Sequence, residues 1–515
     1  MVAPLLAFGS PAAADPAPAP RIERIEVDPG VQLDAGVYKS SEPGQSPLII
    51  IPPGYGAPNL LNIVTGAKLA AAGYDVIAYT PRGQWFSGGQ NNLISEADID
   101  DVSKIIDWAG TNLGSDTQRV GMTGISQGSV LSLMAAANDH RVRAVAAMST
   151  SFRTETPLIV NNTWFSQFMT LVKGAQVVNP LGPDLVAIVR GKYDTGDRSE
   201  LTEAFDSRAA STKLDALNSN DPAILIANGW QDAAFPPAGV TNFFDQLTTP
   251  KRLMLMPGDH MIPELGGLSG QPNESWDATY RWFDHYLKGS DNGANLQPPV
   301  HLEPVFGGAV AEFDSWQASI APMERRYLGP TTNAADSIGD LSSAPTDSWS
   351  TSIVGGIDPA ADSGPLILAG AGAPYDVRMP GLLNAVDRTK ASVWSTTPMT
   401  QTRMISGAPQ LTVPVTPSDA DFTVVSYLYD VDEMGAATLL GHAPYTGTNL
   451  SPGATTDVRL SLQPLRYTVP VGHRLSLVID TDDERYRSET ATSERLTFGS
   501  TPTRPAILDI PWDQR

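Results

Sequence analysis

A Gly-x-Ser-x-Gly pentapeptide, Gly124 to Gly128, is the feature of this sequence best suited to chemistry. It follows an apolar run typical of a β-strand and precedes QGSVLSLMAAAND, a segment typical of a helix. A serine at such a sharp strand-to-helix turn exposes its hydroxyl above the sheet, and glycines flank it because a Cβ would collide there. We therefore predict that Ser126 is a nucleophile.

A serine hydroxyl is a poor nucleophile at neutral pH and needs a base, normally a histidine that a carboxylate orients. Of the six histidines, only His260 follows a predicted sheet strand, in LMLMPGDHM, at the edge where ligands collect in open α/β sheets. Asp232 ends the preceding predicted strand, AILIANGWQD, and gives the order serine, acid, histidine expected of this arrangement. Asp259 is the less favoured acid, because a chain neighbour points away from the ring that it would orient.

Charge that develops on a substrate carbonyl requires hydrogen-bond donors near Ser126. The backbone N–H of Gln127, at the start of the predicted helix, is the first candidate. The second is Tyr55 in the loop PPGYGAPN, through either its backbone N–H or its hydroxyl. An ordinary turn aromatic is the alternative interpretation of Tyr55.

The elements that must position these residues alternate between short apolar runs and helical segments from residue 21 to about residue 289, which is typical of a parallel sheet covered by helices. The predicted strands are Pro47 to Ile51, Tyr74 to Tyr79, Val120 to Ile125, Val142 to Met148, Ala223 to Asn228 and Leu253 to Met256. Ser95 is predicted to cap a helix, and Trp276 to Leu287 has the periodicity of an amphipathic helix. Residues 21–152 and 222–289 are thus predicted to form one α/β domain.

An insertion, residues 153–221, interrupts this alternation and contains TWFSQFMTLV from Thr163 to Val172. Its aromatic face is more often ordinary core packing than a pocket. The candidate pocket residues, given as a speculative set, are Trp164, Phe165, Phe168, Met169 and Trp230.

After the linker SDNGANLQPP, residues 297–515 are rich in Thr, Val, Pro and Gly and show the two-residue alternation of antiparallel strands. This composition predicts an all-β sandwich or jelly roll. Asp480, Asp482, Asp483 and Glu484 lack the spacing of a calcium-binding EF-hand and are interpreted as a solvated turn.

The amino-acid composition limits which substrates, partners and cofactors the protein could bind. With 34 Lys and Arg against 56 Asp and Glu, the net charge of −22 disfavours binding to nucleic acid or anionic lipid, so a small or neutral substrate is expected. The absence of cysteine removes disulfides, thiolate metal sites and a cysteine nucleophile, and no metal or cofactor is predicted. No segment has the length of a membrane helix. Oligomeric state is left open.

The first 20 residues form a leader-like segment with an Ala12-Ala13-Ala14 cleavage signature, although no basic residue precedes Arg21. They predict export to the medium or the cell envelope. Without cleavage the protein would remain cytoplasmic.

Several motifs together resemble the cocaine esterase and X-Pro dipeptidyl-peptidase group of serine hydrolases from about residue 30 to the C-terminus. Besides the serine pentapeptide they are Arg82-Gly83, Ser87-Gly88, Gly229 to Asp232, Trp282 to Gly289, Ala420 to Phe422, Asp430 to Asp432 and Gly472 to Leu475. The resemblance implies an α/β-hydrolase core with a helical cap at residues 153–221, followed by a jelly roll, and the catalytic roles of Ser126, Asp232 and His260. Gln127 and Gln231 depart from the tyrosines usual in the family, and Tyr55 follows Pro-Gly rather than Arg-x-Pro.

The sequence is compatible with three functions. The favoured one is a carboxylesterase or acylase working through an acyl-enzyme, because no carboxylate that would bind a substrate amine is identifiable. The alternative is an X-Pro dipeptidyl-peptidase. A catalytically vestigial binding protein is the hypothesis from another class, since a fold alone does not give a function.

Overall fold

A computed structural model describes residues 19–152, 158–195, 205–366, 368–378 and 380–513. The predicted leader lies outside these residues, apart from its last two positions. The strands of the first sheet and the insertion are β1 (Arg21–Asp28), β2 (Val31–Tyr38), β3 (Pro47–Ile51), β4 (Asp75–Tyr79), β5 (Asp116–Ile125), β6 (Val142–Met148), β7 (Ile159–Val160), β8 (Thr163–Trp164), β9 (Ala223–Gly229), β10 (Lys251–Met256), β11 (Val300–Leu302) and β12 (Ala311–Phe313).

The remaining strands are β13 (Met323–Leu328), β14 (Gly339–Ser342), β15 (Trp349–Val354), β16 (Gly381–Leu382), β17 (Ser392–Ser395), β18 (Arg403–Gly407), β19 (Gln410–Pro417), β20 (Phe422–Val431), β21 (Ala436–Gly447), β22 (Thr456–Ser461), β23 (Leu465–Val469), β24 (Arg474–Asp480), β25 (Arg495–Ser500) and β26 (Ile507–Asp513). The helices are α1 (Ile63–Ala71), α2 (Glu96–Asn112), α3 (Gln127–Asn138), α4 (Ser166–Ala175), α5 (Pro183–Thr195), α6 (Leu214–Asn220), α7 (Pro237–Gln246), α8 (Ile262–Leu268), α9 (Glu274–Lys288) and α10 (Trp316–Ser319). No helix in this described part of the chain combines the length and apolar character needed to cross a membrane.

The first sheet has the strand order β1-β2-β4-β3-β5-β6-β9-β10-β11-β12 within the described residues. Its strands from β4 to β11 run parallel. Alternate side chains of β3 enter two cores, with Leu48 and Ile50 on one face and Ile49 and Ile51 on the other. Helices therefore cover both faces, as the apolar runs predicted.

The sheet continues past residue 289, where the sequence analysis ended the α/β domain. The strand β11 pairs in parallel with β10, Leu253 opposite Val300, and β12 pairs antiparallel with β11. The predicted domain boundary at the linker therefore does not coincide with the edge of the sheet. The short apolar strand β11 after the linker pairs with the otherwise unpaired edge of β10.

The second half of the chain is built from antiparallel strands, with β20 between β21 and β24 at its centre. Its residues Tyr486 and Arg487 pair with the insertion, where the Arg487 N–H donates to the Trp164 carbonyl at 2.9 Å. The solvated-turn interpretation is wrong for Asp480 and Asp483, which are buried. Tyr427 and Ser363 donate to the Asp483 carboxylate at 2.9 Å, and these contacts keep the acid inside the fold.

Candidate active site

The turn between β5 and α3 holds Ser126 at a positive backbone φ, with φ +60° and ψ −124°. A non-glycine residue adopts this conformation only where its surroundings enforce it. A Cβ added to Gly124 or Gly128 would lie 2.8 or 2.1 Å from the Pro52 carbonyl oxygen. The glycines therefore allow β3, β5 and α3 to meet closely enough to force the turn.

The three residues predicted to act together are joined by hydrogen bonds. His260 lies in the loop after β10, and its Nδ1 is 2.9 Å from Asp232 Oδ2. A carboxylate accepts only, so Nδ1 carries the proton and Nε2 accepts from the Ser126 hydroxyl, also at 2.9 Å. The Phe235 N–H donates to the other Asp232 oxygen at 2.7 Å. This chain of bonds can withdraw a proton from the serine hydroxyl.

The charges around His260 favour its protonated form. Burial lowers the pKa of the imidazole, but the charge and hydrogen bond of Asp232, with further contributions from Asp259 and Glu264, outweigh burial and raise the pKa above 6.5. The Phe235 ring meets the imidazole edge-to-face, with ring centroids 4.9 Å apart. The ring is thus held between a carboxylate, a hydroxyl and an aromatic side chain.

Asp259 has a different place from Asp232. Its Oδ1 accepts the backbone N–H of His260 at 2.7 Å and that of Ala233 at 3.1 Å, and no bond to the ring is formed. Burial raises the pKa of its carboxyl, which Arg485 partly offsets. Asp259 therefore fastens the loop of the base to the loop of the acid.

Two buried residues near His260 were missed by the sequence analysis. Ser149, directly after β6, accepts the Met261 N–H at 3.0 Å and donates to Glu264 Oε2 at 3.0 Å. Burial raises the pKa of Glu264 to about 7. A glutamate in the first turn of a helix is ordinarily interpreted as a helix-dipole partner, so only its proximity to His260 in sequence could have pointed to this position.

Both predicted oxyanion donors belong to segments next to the serine. Gln127 is the first residue of α3, so its N–H has no intrahelical acceptor. A Cβ on Gly54, next to Tyr55, would lie 3.6 Å from the Ser126 Cβ. The Tyr55 hydroxyl instead donates to the Asn179 carbonyl at 3.5 Å. Among the described residues the Tyr55 N–H has no acceptor, and it is therefore the better placed of its two donors.

The predicted pocket residues of the insertion are packed inside it. Trp164 and Met169 belong to an apolar cluster between α4 and α5, and the Trp164 ring lies edge-to-face with Tyr193 at 5.3 Å. Phe165 instead packs against Tyr486, with centroids 5.3 Å apart. Phe168 bridges these two clusters. Their part in binding a substrate stays a prediction.

A cavity of about 260 Å³ lies between the first sheet and the β-domain. Its wall includes Trp230, Asp232, Asp259, Tyr429 and Arg485, but not Ser126. Of the five predicted pocket residues, Trp230 alone lines this cavity.

Comparison with known proteins agrees with this arrangement. A serine esterase of Mycobacterium bovis, so named provisionally, is 23% identical over 293 residues, covering 51% of this chain and 45% of the relative. An uncharacterised Escherichia coli protein is 31% identical over 128 residues, covering 24% of this chain and 42% of that protein. The chain therefore spans less than half the length of these curated relatives.

Solved structures share the whole fold. An aminopeptidase from a marine sediment archaeon (Thaumarchaeota archaeon) superposes with a TM-score of 0.75 at 16% identity, covering 100% of this chain and 99% of the other. A CocE/NonD family hydrolase from Staphylococcus aureus gives 0.74 at 14% identity, covering 96% and 93%. An α-amino acid ester hydrolase gives 0.74 at 16%, covering 98% of each chain.

Family models match both halves of the sequence. Residues 29–262 match the X-Pro dipeptidyl-peptidase (S15 family) model, and residues 292–509 match the X-Pro dipeptidyl-peptidase C-terminal non-catalytic domain. The fold, the strand-to-helix serine and these matches agree. The chain belongs to the S15 family and is a serine hydrolase.

Proposed function

We propose that this serine hydrolase cleaves carboxylic esters through an acyl-enzyme on Ser126. The observation that carries the proposal is the unbroken hydrogen-bond chain from the Ser126 hydroxyl through His260 to Asp232, with both bonds at 2.9 Å. The strained serine backbone supports it, since strain of this kind collects at functional sites.

In the first half-reaction His260 Nε2 takes the Ser126 proton while Oγ attacks the ester carbonyl carbon. The N–H groups of Gln127 and Tyr55 would donate to the oxygen that becomes negative. The imidazolium then gives its proton to the leaving alcohol, and the acyl group stays on Ser126. A water molecule, deprotonated by His260, releases the acid and restores the serine.

The preference for an ester over a peptide rests on where the carboxylates near the serine are committed. Asp232 accepts from His260 and Phe235, Asp259 accepts from two backbone N–H groups, and Glu264 accepts from Ser149. Asp259 Oδ2 and Glu264 Oε1 have no hydrogen-bond partner in the described residues, but Asp259 lines a cavity whose wall does not include Ser126, and Glu264 is fully buried. A neutral acyl group is therefore the expected substrate, and an acylase acting on amides would use the same residues.

The second candidate is release of X-Pro dipeptides, which the description of the matching family model favours. It requires an anchor for the free amine of the substrate. The two activities differ in that requirement, so one pair of substrates separates them.

The first test is labelling with a fluorophosphonate, which reacts with an activated serine. Wild-type protein should be labelled, and Ser126→Ala should not. Ser129→Ala is the matched control, because Ser129 lies in the same helix and donates to the Ser126 carbonyl at 2.6 Å without contacting the imidazole. Absence of labelling in the wild type would overturn the proposal and favour the binding-protein hypothesis.

The second test compares kcat/KM on a short-chain p-nitrophenyl ester and on Ala-Pro p-nitroanilide, with Ser126→Ala as the blank. Turnover of the ester alone supports the esterase. Efficient anilide turnover that is lost when the substrate amine is acetylated would instead establish the dipeptidyl-peptidase.

A further inference from the structure

Ser149 and Glu264 form a buried polar link between the strand beside the nucleophile and the loop of the base. The carbonyl of Met148 accepts the Ser126 N–H at 3.0 Å, and the next residue, Ser149, accepts the Met261 N–H at 3.0 Å. The Ser149 hydroxyl then donates to Glu264 Oε2 at 3.0 Å. The dipeptide Met148–Ser149 at the end of β6 thus contacts the chain at Ser126 and directly after His260.

The backbone at this link is strained. Ser149 has φ +42° and Met261 has φ +67°, which are left-handed conformations that non-glycine residues rarely adopt. The hydrogen bond between them holds both. Strain of this kind is retained where it serves a function.

The helix that carries Glu264 is fixed from its other side by α9. The Trp276 indole N–H donates to the Glu264 carbonyl at 3.1 Å, and the Asn273 amide donates to the Pro263 carbonyl at 2.6 Å. A Cβ on Gly267 would lie 1.8 Å from the Trp276 ring, so the two helices touch. The carboxyl of Glu264 therefore has little freedom to move.

The second oxygen of Glu264, Oε1, is buried and has no hydrogen-bond partner in the described residues. A buried carboxyl oxygen without a partner is costly. The hydrogen bonds of the described residues therefore do not account for a carboxyl group at this position.

We propose that the Ser149–Glu264 pair is a positioning element of the active site, which fixes the loop after His260 and places a second carboxylate where it stabilises the imidazolium formed during acyl transfer. The inference rests on the proposed function. Glu264 touches neither the substrate nor the reacting atoms and acts through His260.

The charges around Glu264 give the direction of this effect. Burial raises the pKa of Glu264 to about 7, and among charged neighbours His260 lowers it while Asp232 raises it. On the packed helices, Lys68 of α1 donates to the Gly270 carbonyl, and Glu274 of α9 pairs with His301. Asp277 of α9 acts on Tyr280. The protonated imidazole of His260 is therefore the cation that the Glu264 carboxylate can stabilise.

The test follows His260 directly by NMR of protein labelled with ¹³Cε1-histidine, whose six signals are assigned by loss of one signal in His260→Ala. Glu264→Gln keeps the shape and removes the charge. We expect its His260 to bind a proton about tenfold more weakly, since one pKa unit is a factor of ten. We also expect kcat to fall about tenfold with KM unchanged, because imidazolium stabilisation is lost only in the transition state.

Two further variants separate this role from simple stability. Asn273→Ala loosens the same helix without changing charge, so it should lower Tm and leave the His260 titration unchanged. Ser149→Ala removes the link but keeps the carboxylate, so it should lower kcat while His260 stays easier to protonate than in Glu264→Gln. If Glu264→Gln does not fold, Glu264→Asp, which keeps the charge, should titrate His260 close to the wild-type value.

An unchanged His260 titration in folded Glu264→Gln overturns the inference, as does a shift of equal size in Asn273→Ala. In the absence of a folded glutamine variant, a Glu264→Asp protein whose His260 binds a proton about tenfold more weakly than in the wild type overturns it as well. The titration needs no turnover. Failure of fluorophosphonate labelling would therefore reject the proposed function while leaving the electrostatic role of Glu264 decided by NMR.

Discussion

Two pairs in the described residues join a histidine to a buried aspartate, and only one of these pairs is also bonded to a serine. Asp232 and His260 lie at the carboxyl edge of the parallel sheet, whereas Asp430 and His473 lie in the β-domain, also with an Nδ1 to carboxylate distance of 2.9 Å. Both histidines follow a turn that contains glycine. The geometry of the pair alone is therefore not evidence of catalysis.

The partners of the two carboxylates differ. Asp430 also accepts from the Tyr467 hydroxyl at 2.5 Å and from Arg378 at 3.4 Å, so it serves as the centre of a structural network. Asp232 has the His260 ring and a backbone N–H instead. What distinguishes the first pair is the hydroxyl on the far side of its ring, held there by a strained backbone.

The largest expected difference between the pairs concerns the histidines. His260→Ala should lower kcat on an ester by roughly 10⁶-fold, the size of effect seen when a residue of a catalytic unit is removed. His473→Ala should leave kcat within about twofold and destabilise the fold by about 1–3 kcal/mol, because the buried Asp430 carboxylate loses a hydrogen-bond partner. Steady-state kinetics and thermal melts of both variants make the measurement.

A comparable loss of kcat in both variants would contradict the distinction. So would a His260→Ala protein that keeps its rate. Far-ultraviolet circular dichroism serves as the control that each variant is folded.

The aspartates should differ in the same direction but less strongly. Asp232→Asn should lower kcat about 10⁴-fold with little change in structure, since an amide favours the wrong tautomer of the imidazole. Asp430→Asn should cost about 1–3 kcal/mol of stability and leave the rate unchanged. Urea unfolding and kcat on the ester would be measured side by side. Stability loss without rate loss in Asp232→Asn would remove it from the triad.

The proximity of Ser126, Asp232 and His260 could be predicted from the sequence because the signals are local. Ser126 lies in a strand–turn–helix pattern, and both Asp232 and His260 directly follow apolar strand runs. The Ser149–Glu264 contact joins residues 115 positions apart and depends on the packing of α8 on α9, which no local pattern encodes. The addition of β11 to the sheet and the burial of Asp480 likewise follow from tertiary packing.

The two regions also differ in how closely their backbones pack at glycine residues. A Cβ on Gly128 would lie 2.1 Å from the Pro52 carbonyl oxygen, whereas one on Gly441 in β21 would lie 3.5 Å from its nearest neighbour. Gly128→Ala should cost about 2 kcal/mol and lower kcat about 100-fold, because the serine is displaced. Gly441→Ala should stay within about 0.5 kcal/mol. Equal effects in melts and kinetics would show that the close approach of β3 and α3 is dispensable.

The smallest effect is the pH dependence, in which activity and stability should change in opposite directions. Ester hydrolysis needs neutral His260, whose pKa lies above 6.5, so kcat/KM should fall about tenfold per pH unit below a midpoint above 6.5. A group whose pKa is raised by folding contributes stability that is fully present below its unfolded value and is lost as pH rises through its folded value. This applies to His260 from 6.5 upwards and to Glu264 from 4.5 to about 7.

Thermal stability should therefore decline over the pH range in which activity appears, and His260→Ala should flatten the part of that decline above pH 6.5. His473→Ala is the control, and it should keep the acid limb of the wild-type rate profile. If stability and rate rise together with pH, the carboxylates around His260 do not raise the pKa of its imidazole. The active site would then owe its protonation behaviour to burial alone, which lowers the pKa of an imidazole and would move the acid limb below 6.5.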